Sequence, residues 1–243
     1  MADELWVCNL GVLDYAAALA LQQRVRDARQ AELVPDVLLQ LEHPAVYTRG
    51  RRSGADEFPF PPQWYESQGI SIFETDGGGK ITFHNQGQLV GYPIVRVEDV
   101  VAYVRLLERA IVAALGEEGL VARDRAAEGS DYTGVWLDDR KIASIGVHVA
   151  RGVTTHGFAV NVDNDLTPFS WVVACGLPNV AMTSLAAETE RAGCTSAADR
   201  ASLLPCFRKR MSSALAHELG LRQRLVTPER LERALAPAQL AAS

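Results

Sequence analysis

The sequence predicts an α+β fold, in which helices are mixed with strands of antiparallel character. The clearest helix is predicted over residues 98–115, because apolar residues recur there at intervals of three and four. Two strand-like segments, 141–150 and 153–162, are joined at Arg151-Gly152, which suits a tight hairpin. No regular alternation of strand and helix runs through the chain, and this argues against a doubly wound parallel sheet.

The remaining elements follow in order along the chain. A strand is predicted over residues 5–9, and a helix then runs from Asp14, a suitable N-cap, to about residue 29. From residue 197 onward the pattern is helical, and Pro205 is expected to end or kink the helix there. A long surface loop is predicted over residues 49–62, and further strands over residues 36–41, 70–75, 81–84 and 134–137.

Length and composition favour a single globular domain. The chain has 243 residues, of which 48% are hydrophobic and 22% are charged, as in ordinary globular enzymes. We expect one domain over residues 1–230, followed by a flexible tail over residues 231–243, which are rich in Ala and Pro.

The charge balance argues against a nucleic-acid-binding protein. Lys and Arg number 24 against 30 Asp and Glu, which gives a net charge of -6, and such a field repels a phosphate backbone. No apolar stretch approaches the length that spans a membrane, and residues 1–4 lack the basic flank of a secretory signal. A cytoplasmic protein is expected, with neither nucleic acid nor membrane as a partner.

The four cysteines form no metal or redox motif. Cys8, Cys175, Cys194 and Cys206 contain no C-x-x-C pair, so no metal site is expected, and in a reducing compartment all four should be free thiols. Cys175 lies in V-V-A-C-G-L-P, where the glycine and the proline indicate an irregular backbone just after the sulfur. It is either a buried structural thiol or a nucleophile placed on a turn.

Lys141 and two residues on the following strand are further candidates. Lys141 is either an exposed hairpin lysine or a lysine at the entry to a buried strand, because the residues after it are small and apolar. In the second case its ammonium could hold a nearby cysteine as the thiolate. His156 fits a satisfied core histidine, and Asn161, among apolar neighbours, could face a pocket.

The glycine-rich stretch over residues 75–93 is the most unusual part of the sequence. Its glycines at 77–79 would let the backbone approach a ligand closely, although the stretch could also be a simple glycine-rich β-turn. A P-loop is excluded, because Glu74 stands where that motif requires its first glycine and Ile81 follows the lysine.

Four ordered segments together resemble the lipoyl(octanoyl) transferases, the octanoyl-acyl carrier protein:protein N-octanoyltransferases. The segments are E-H-P-A-V-Y-T-R-G at 42–50, the glycine-rich stretch at 75–93, G-V-W at 134–136 with R-K-I-A-S-I-G at 140–146, and H-G-F-A at 156–159 with C-G at 175–176 and V-A-M-T-S-L at 180–185. Four motifs in the family's order are far more specific than any one of them.

The resemblance implies a biotin/lipoate protein ligase-like catalytic domain, with a mixed sheet flanked by helices. It implies that Cys175 is the nucleophile, that Lys141 lowers the pKa of its thiol, and that no cofactor is needed. The residues implied to contact substrate are Gly77, Gly78, Gly79, Lys80, Ile81, Thr82, Phe83, His84, Ser144, Ile145, Gly146, Gly157, Phe158 and Ala159.

The implied reaction moves octanoyl from acyl carrier protein to a lysine of a lipoyl domain, through an acyl-thioester on Cys175. The implied acceptors are the lipoyl domains of 2-oxoacid dehydrogenase E2 subunits and the glycine cleavage H protein. Exchange between thioesters is nearly thermoneutral and the amide product is more stable, so no ATP site is required. Arg49, Arg51 and Arg52 are either a landing site for the acidic carrier or a solvated loop.

Two departures from the family pattern lie in the glycine-rich stretch. Where the family usually has Asp-Arg-Gly-Gly, this chain has Gly77 in place of the arginine, which removes a charge and a donor from that end of the site. Where the family usually has His-Gly-Pro-Gly-Gln, this chain has His84, Asn85, Gln86, Gly87 and Gln88.

Three other functions stay open. An ATP-dependent lipoate or biotin ligase would share the fold. A cysteine hydrolase would use Cys175 with His156 or His84 and release free octanoate. A non-catalytic acyl-binding protein would form no covalent intermediate.

Overall fold

The computed structural model describes residues 3–50, 53–54, 57–75, 80–173, 180–193 and 197–240. Six α-helices lie in this part of the chain: α1 (Tyr15–Gln30), α2 (Pro62–Ser67), α3 (Val100–Gly116), α4 (Leu185–Arg191), α5 (Ala197–Glu218) and α6 (Pro228–Leu240). None of these described helices is both long and apolar enough to cross a lipid bilayer.

The strands of the described chain form two sheets. They are β1 (Glu4–Val12), β2 (Asp36–Glu42), β3 (Val46–Arg49), β4 (Ser71–Glu74), β5 (Thr82–His84), β6 (Gln88–Ile94), β7 (Val135–Leu137), β8 (Arg140–Ala150), β9 (Val153–Asn161), β10 (Ala181–Met182) and β11 (Arg222–Val226). The large sheet has the order β10-β8-β9-β6-β2-β1-β11, with β7 paired to β8, and the small sheet has the order β4-β3-β5.

The large sheet is mixed, as predicted. Its centre is antiparallel, because β2 pairs with β6, β6 with β9 and β9 with β8 in opposite directions. Its two ends are parallel, since β1 runs parallel to β2 and β11, and β10 runs parallel to β8. This confirms the α+β class and the expectation of a mixed sheet.

Helices cover both faces of the large sheet. On one face the core includes Leu38 of β2 and residues of α3 and α5, and on the other it includes Val37 and Leu39 of β2 and residues of α1 and α6. Adjacent residues of a strand point to opposite faces, so a strand covered on both sides is apolar throughout. A third cluster, which includes Tyr47 and Phe83, fills the core of the small sheet.

Helix α1 begins where the sequence predicts, and α3 begins two residues after its predicted start. Asp14 caps α1 by accepting from the backbone N–H of Ala16 at 2.9 Å, and Asp99 caps α3 by accepting from that of Val101 at 2.8 Å. A side-chain oxygen at the N-cap satisfies a backbone donor that the helix itself leaves unpaired. The predicted hairpin also forms, since β8 and β9 pair in register up to residues 150 and 153.

The C-terminal third differs from the prediction in three ways. Helix α5 does not end at Pro205, because Phe207, further along, is fully buried and holds the helix on the core. Strand β11 was not predicted. The C-terminal tail was expected to be flexible from residue 231. The first part of that segment instead belongs to α6, which covers 228–240, and Leu231 and Leu235 are buried to 1% exposure.

Candidate active site

A cavity of about 130 Å³ lies between β5, β8, β9 and the segment before β7. It brings together residues that are far apart in sequence. Those predicted from the sequence that line it are Lys80, Ile81, Thr82, His84, Lys141, Ser144, Ile145, Gly146, Gly157, Phe158 and Ala159.

Some predicted site residues are not placed at the cavity. Phe83 alternates with Thr82 and His84 on β5, so its ring points away into the small core, where it packs on Tyr47 and Phe169. Phe83 is 1% exposed and does not line the cavity. Gly77–Gly79 and Cys175 lie outside the described residues.

The cavity also has lining residues that the sequence did not assign to substrate contact. They are Tyr15, Thr48, Gly50, Thr75, Tyr92, Ser130, Asp131, Thr133 and His156. Thr48, Gly50, Thr75 and Tyr92 lie within the motifs that carry the resemblance, so the motifs could have indicated them. Tyr15 on α1 and residues 130–133 carry no such signal, and only the fold brings them to the cavity.

Lys141 is a buried lysine whose head reaches the cavity. The residue is 2% exposed, and its Nζ lies 5.3 Å from the ring centroid of Trp136. No described carboxylate forms an ion pair with it. Lysine side chains are rarely buried without a partner, so a buried lysine that lines a cavity is a candidate functional group.

Gly134 provides the room for the Lys141 side chain. Its φ of +133° lies in a region that favours glycine. A Cβ at this position would lie 2.4 Å from the carbonyl oxygen of Ala143 and 2.8 Å from Cε of Lys141. The backbone N–H of Gly134 donates to Oε1 of the fully buried Glu108 at 3.0 Å, which anchors this segment to α3.

The described residues on either side of the Cys175 segment have fixed backbone contacts, and those after it pair with Lys141. The backbone N–H of Val173, two residues before Cys175, donates to the carbonyl of Glu57 at 3.0 Å. After Cys175 the described chain resumes at residue 180, and Met182 of β10 is the register partner of Lys141. The backbone N–H of Thr183 then donates to the carbonyl of Lys141 at 2.9 Å.

The tautomer of His84 is fixed by a chain of buried amides. Nε2 of Gln88 donates to the carbonyl of Phe83 at 3.1 Å and to Oδ1 of Asn161 at 2.9 Å. Oε1 of Gln88 must therefore accept, so Nδ1–H of His84 donates to it at 2.7 Å. Burial lowers the pKa of His84 to about 3, and the neighbouring His43 acts in the same direction. The imidazole is neutral, and its Nε2 is an acceptor.

Two more histidines stand beside it. Nδ1–H of His43 donates to the carbonyl of Leu13 at 2.7 Å, so its Nε2 accepts from the hydroxyl of Tyr92 at 2.7 Å. Burial lowers the pKa of His43 and raises that of Tyr92, which suits this arrangement. His156 has a φ of +59° within β9, and its backbone N–H donates to Oε1 of Gln22 at 2.7 Å. A residue other than glycine in this region is strained, and such strain is frequent at functional sites.

Two of the residues that line the cavity form an ion pair. Nζ of Lys80 lies 3.5 Å from Oδ1 of Asp131, joining the strand side to the segment before β7. Within the described ranges, no group of three His, Cys, Asp or Glu side chains is arranged to hold a metal ion.

Comparison with known proteins identifies the family. Residues 14–202 match the family described as the lipoyl protein ligase A/B catalytic domain. The octanoyltransferase of Solibacter usitatus is 44% identical over 79% of this chain and 87% of its own length. That of Mycobacterium tuberculosis (strain H37Rv) is 46% identical over 76% of this chain and 78% of its own length.

Solved structures share the fold at low sequence identity. A lipoate-protein ligase A with bound ATP aligns with a TM-score of 0.71 at 17% identity, covering 98% of this chain and 93% of that one. A bi-partite lipoate protein ligase from Thermoplasma acidophilum aligns with a TM-score of 0.68 at 17% identity, covering 98% and 91%. The chain therefore belongs to the lipoyl protein ligase A/B catalytic-domain family and, within it, to the octanoyltransferases, which are acyltransferase enzymes.

Proposed function

We propose that this enzyme transfers octanoyl from acyl carrier protein to a specific lysine of a lipoyl domain, through an acyl-thioester on Cys175. The observation that carries the proposal is that Lys141 and residues from all three segments implied to contact substrate line one cavity. The names of the curated relatives support octanoyl as the group transferred.

The two cysteines in the described part of the chain are poor alternatives to Cys175. Burial, together with the negative charges of Glu229 and Glu232, raises the pKa of the Cys8 thiol to about 11. A thiol of this kind is almost never the thiolate that nucleophilic attack requires. Cys206 is exposed on α5, and neither cysteine lines the cavity.

In the first half-reaction, the Cys175 thiolate attacks the thioester carbonyl carbon of the octanoyl donor. The backbone N–H of Gly176, next to the nucleophile, is our candidate donor to the oxyanion. The bond between the acyl carbon and the carrier sulfur then breaks. The Lys141 ammonium, which has favoured the thiolate until this point, gives its proton to the leaving carrier thiolate.

In the second half-reaction, the amine of the acceptor lysine attacks the Cys175 thioester. Lys141, now neutral, takes a proton from that nitrogen as the amide bond forms. The acyl carbon–sulfur bond breaks, and the Cys175 thiolate and the Lys141 ammonium are restored. His84 adds no charge to compete with that ammonium, and its Nε2 can accept a hydrogen bond from the attacking amine.

The proposed partners are those that the resemblance to the octanoyltransferases implies. The donor is acyl carrier protein, and the acceptors are the lipoyl domains of 2-oxoacid dehydrogenase E2 subunits and the glycine cleavage H protein. Of the basic residues considered as a landing site for the carrier, Arg49 forms an ion pair with Glu74 at 3.2 Å. Arg51 and Arg52 lie outside the described residues.

The test is intact-protein and peptide mass spectrometry after incubation with octanoyl-acyl carrier protein and no nucleotide. We expect one octanoyl group on Cys175, which is discharged when a lipoyl domain is added. The Cys175→Ser variant should lose transfer while keeping its unfolding transition, and Cys206→Ser, the matched control, should keep full transfer. Transfer by Cys175→Ser at the wild-type rate would contradict the proposal.

The same assay separates the other functions. A requirement for ATP would indicate a ligase, and release of free octanoate without acylation of the lipoyl domain would indicate a hydrolase. Binding of the octanoyl donor with no covalent adduct would indicate a non-catalytic acyl-binding protein.

A further inference from the structure

Strand β10 is too short to hold its own position. It contains two residues, Ala181 and Met182, which pair with Arg140 and Lys141 of β8. A parallel ladder of this length supplies very few hydrogen bonds. The chain that returns from Cys175 therefore needs another attachment if its position beside Lys141 is to be fixed.

Glu188 supplies that attachment. One carboxylate oxygen accepts from Nε of Arg140 at 2.8 Å and from the hydroxyl of Thr183 at 2.5 Å, and the other accepts from Nη2 of Arg140 at 3.1 Å. Arg140 and Thr183 flank the pair formed by Lys141 and Met182. The carboxylate thus ties together the residue before Lys141 and the residue after Met182. Two parallel bonds from a guanidinium to a carboxylate are a strong and directional contact.

Glu188 is itself held in place. It lies on α4, whose N-cap Ser184 accepts from the backbone N–H of Ala187 at 3.2 Å. The backbone N–H of Ala186 donates to the carbonyl of Val162 at 2.8 Å, which fixes the helix to the end of β9. Burial raises the pKa of the 6%-exposed Glu188 carboxyl, but the hydrogen bonds from Arg140 and Thr183, with the charges of Arg140 and Arg191, outweigh it and the net pKa is lowered. The carboxylate stays ionised.

A second contact fixes the same segment from β9. Nδ2 of the buried Asn161 donates to the carbonyl of Thr183 at 3.0 Å, and its Oδ1 accepts from Gln88, the residue that orients His84. Thr183 is therefore held through its hydroxyl, its N–H and its carbonyl. This position joins the returning chain to both Lys141 and the His84 side of the cavity.

We propose that Glu188 is a positioning residue, which holds the segment that follows Cys175 against β8 so that Lys141 can stabilise the cysteine thiolate. The inference rests on the proposed function. Glu188 does not line the cavity and touches no reacting atom. It acts on the geometry of the pair formed by Lys141 and Cys175.

The variant that tests this role is Glu188→Gln, which keeps the shape of the side chain and removes its charge. Thr183→Val is the second variant, because it removes the hydroxyl donor and keeps the volume. Asp36→Asn is the matched control. Asp36 pairs with Arg29 at 2.6 Å, both side chains are mostly buried at 16% and 17% exposure, and neither residue lines the cavity.

The readout is the rate of iodoacetamide alkylation at Cys175 as a function of pH, followed by peptide mass spectrometry to separate it from the other thiols. Near pH 6 we expect Glu188→Gln to react about tenfold more slowly than wild type, as a thiol pKa raised by about one unit would require. In octanoyl transfer, kcat should fall and KM for the donor should stay unchanged. Thr183→Val should shift the alkylation profile in the same direction, and Asp36→Asn should leave it in place.

Each outcome has one meaning. A folded Glu188→Gln protein with the wild-type alkylation profile overturns the inference, and so does a shift of equal size in Asp36→Asn. If Glu188→Gln does not fold, the profile of Thr183→Val decides in the same way. If wild-type Cys175 titrates as an ordinary thiol, the proposed function itself fails, and this inference falls with it.

Discussion

Replacing Lys141 by methionine separates its contribution to activity from its contribution to the fold. Methionine has nearly the length and volume of the lysine side chain, so it keeps the packing of the stem and removes only the charge. We expect Lys141→Met to lose octanoyl transfer while its unfolding free energy is unchanged or raised. Alanine would be a poorer probe, because it would leave a cavity at a residue that is 2% exposed.

The magnitude follows from the surroundings of the ammonium. Burying such a charge costs several kcal/mol, and a cation over an aromatic ring, here Trp136 at 5.3 Å, returns about 0.5–2 kcal/mol. In a Cys175→Ser background, where the ammonium has neither the thiolate nor a described carboxylate as a partner, the difference predicts a gain of about 1–3 kcal/mol on substitution. In a chain of this size each kcal/mol corresponds to a shift in Tm of about 2–4 °C.

The assay is urea unfolding, paired with mass spectrometry of the octanoylated lipoyl domain. Lys209→Met is the matched control, because Lys209 is exposed on α5 and its substitution should change neither quantity. In the Cys175→Ser background, a loss of more than about 2 kcal/mol on Lys141→Met would refute the reasoning, because it would indicate a buried ion pair with another group, and breaking such a pair costs about 3–5 kcal/mol. Wild-type transfer by this variant would refute the assigned role.

Two further predictions concern the walls of the site. The pKa of His84 is lowered from 6.5 to about 3, so the unfolded chain takes up its proton first as the pH falls. The contribution of neutral His84 to the unfolding free energy is therefore fully present above pH 6.5 and decreases as the pH falls toward 3. At about pH 4.5 the decrease amounts to about 2–3 kcal/mol. In urea unfolding across this range, His84→Gln should show a smaller loss, and an equal loss would contradict the assignment. Gly134→Ala should destabilise the protein by about 2–4 kcal/mol, because its Cβ would lie 2.8 Å from Cε of Lys141 and because a φ of +133° is unfavourable for alanine. An unchanged Tm would contradict this prediction, since it would mean that the neighbouring atoms move aside at no cost.

The sequence was informative where local chemistry decides the structure. Asp14 indicated the start of α1, because an N-cap side chain acts on the backbone next to it, and the apolar spacing over residues 98–115 indicated α3. The hairpin at Arg151-Gly152 followed from its turn residues in the same way. Such signals lie within a few residues of the structure that they specify.

The sequence failed where long-range packing decides the structure. Pro205 is tolerated inside α5, and Leu231 and Leu235 are drawn into the core against α1, by contacts with residues far away in the chain. Helix propensity and local composition depend on neighbouring residues only, so they do not predict such long-range contacts.

The same division holds for the site. The sequence motifs by themselves indicated Lys141, His84 and most of the residues that line the cavity, because these motifs occur in the same order as in the octanoyltransferase family. Only the tertiary structure decided that Phe83 faces away from the cavity and that Gln88 and Asn161 fix the neutral tautomer of His84. It alone also showed that Glu188 connects Arg140 of β8 to Thr183, which follows β10. Hydrogen bonds between side chains depend on where distant strands and helices meet, and that placement is set by how the whole chain buries its apolar surface.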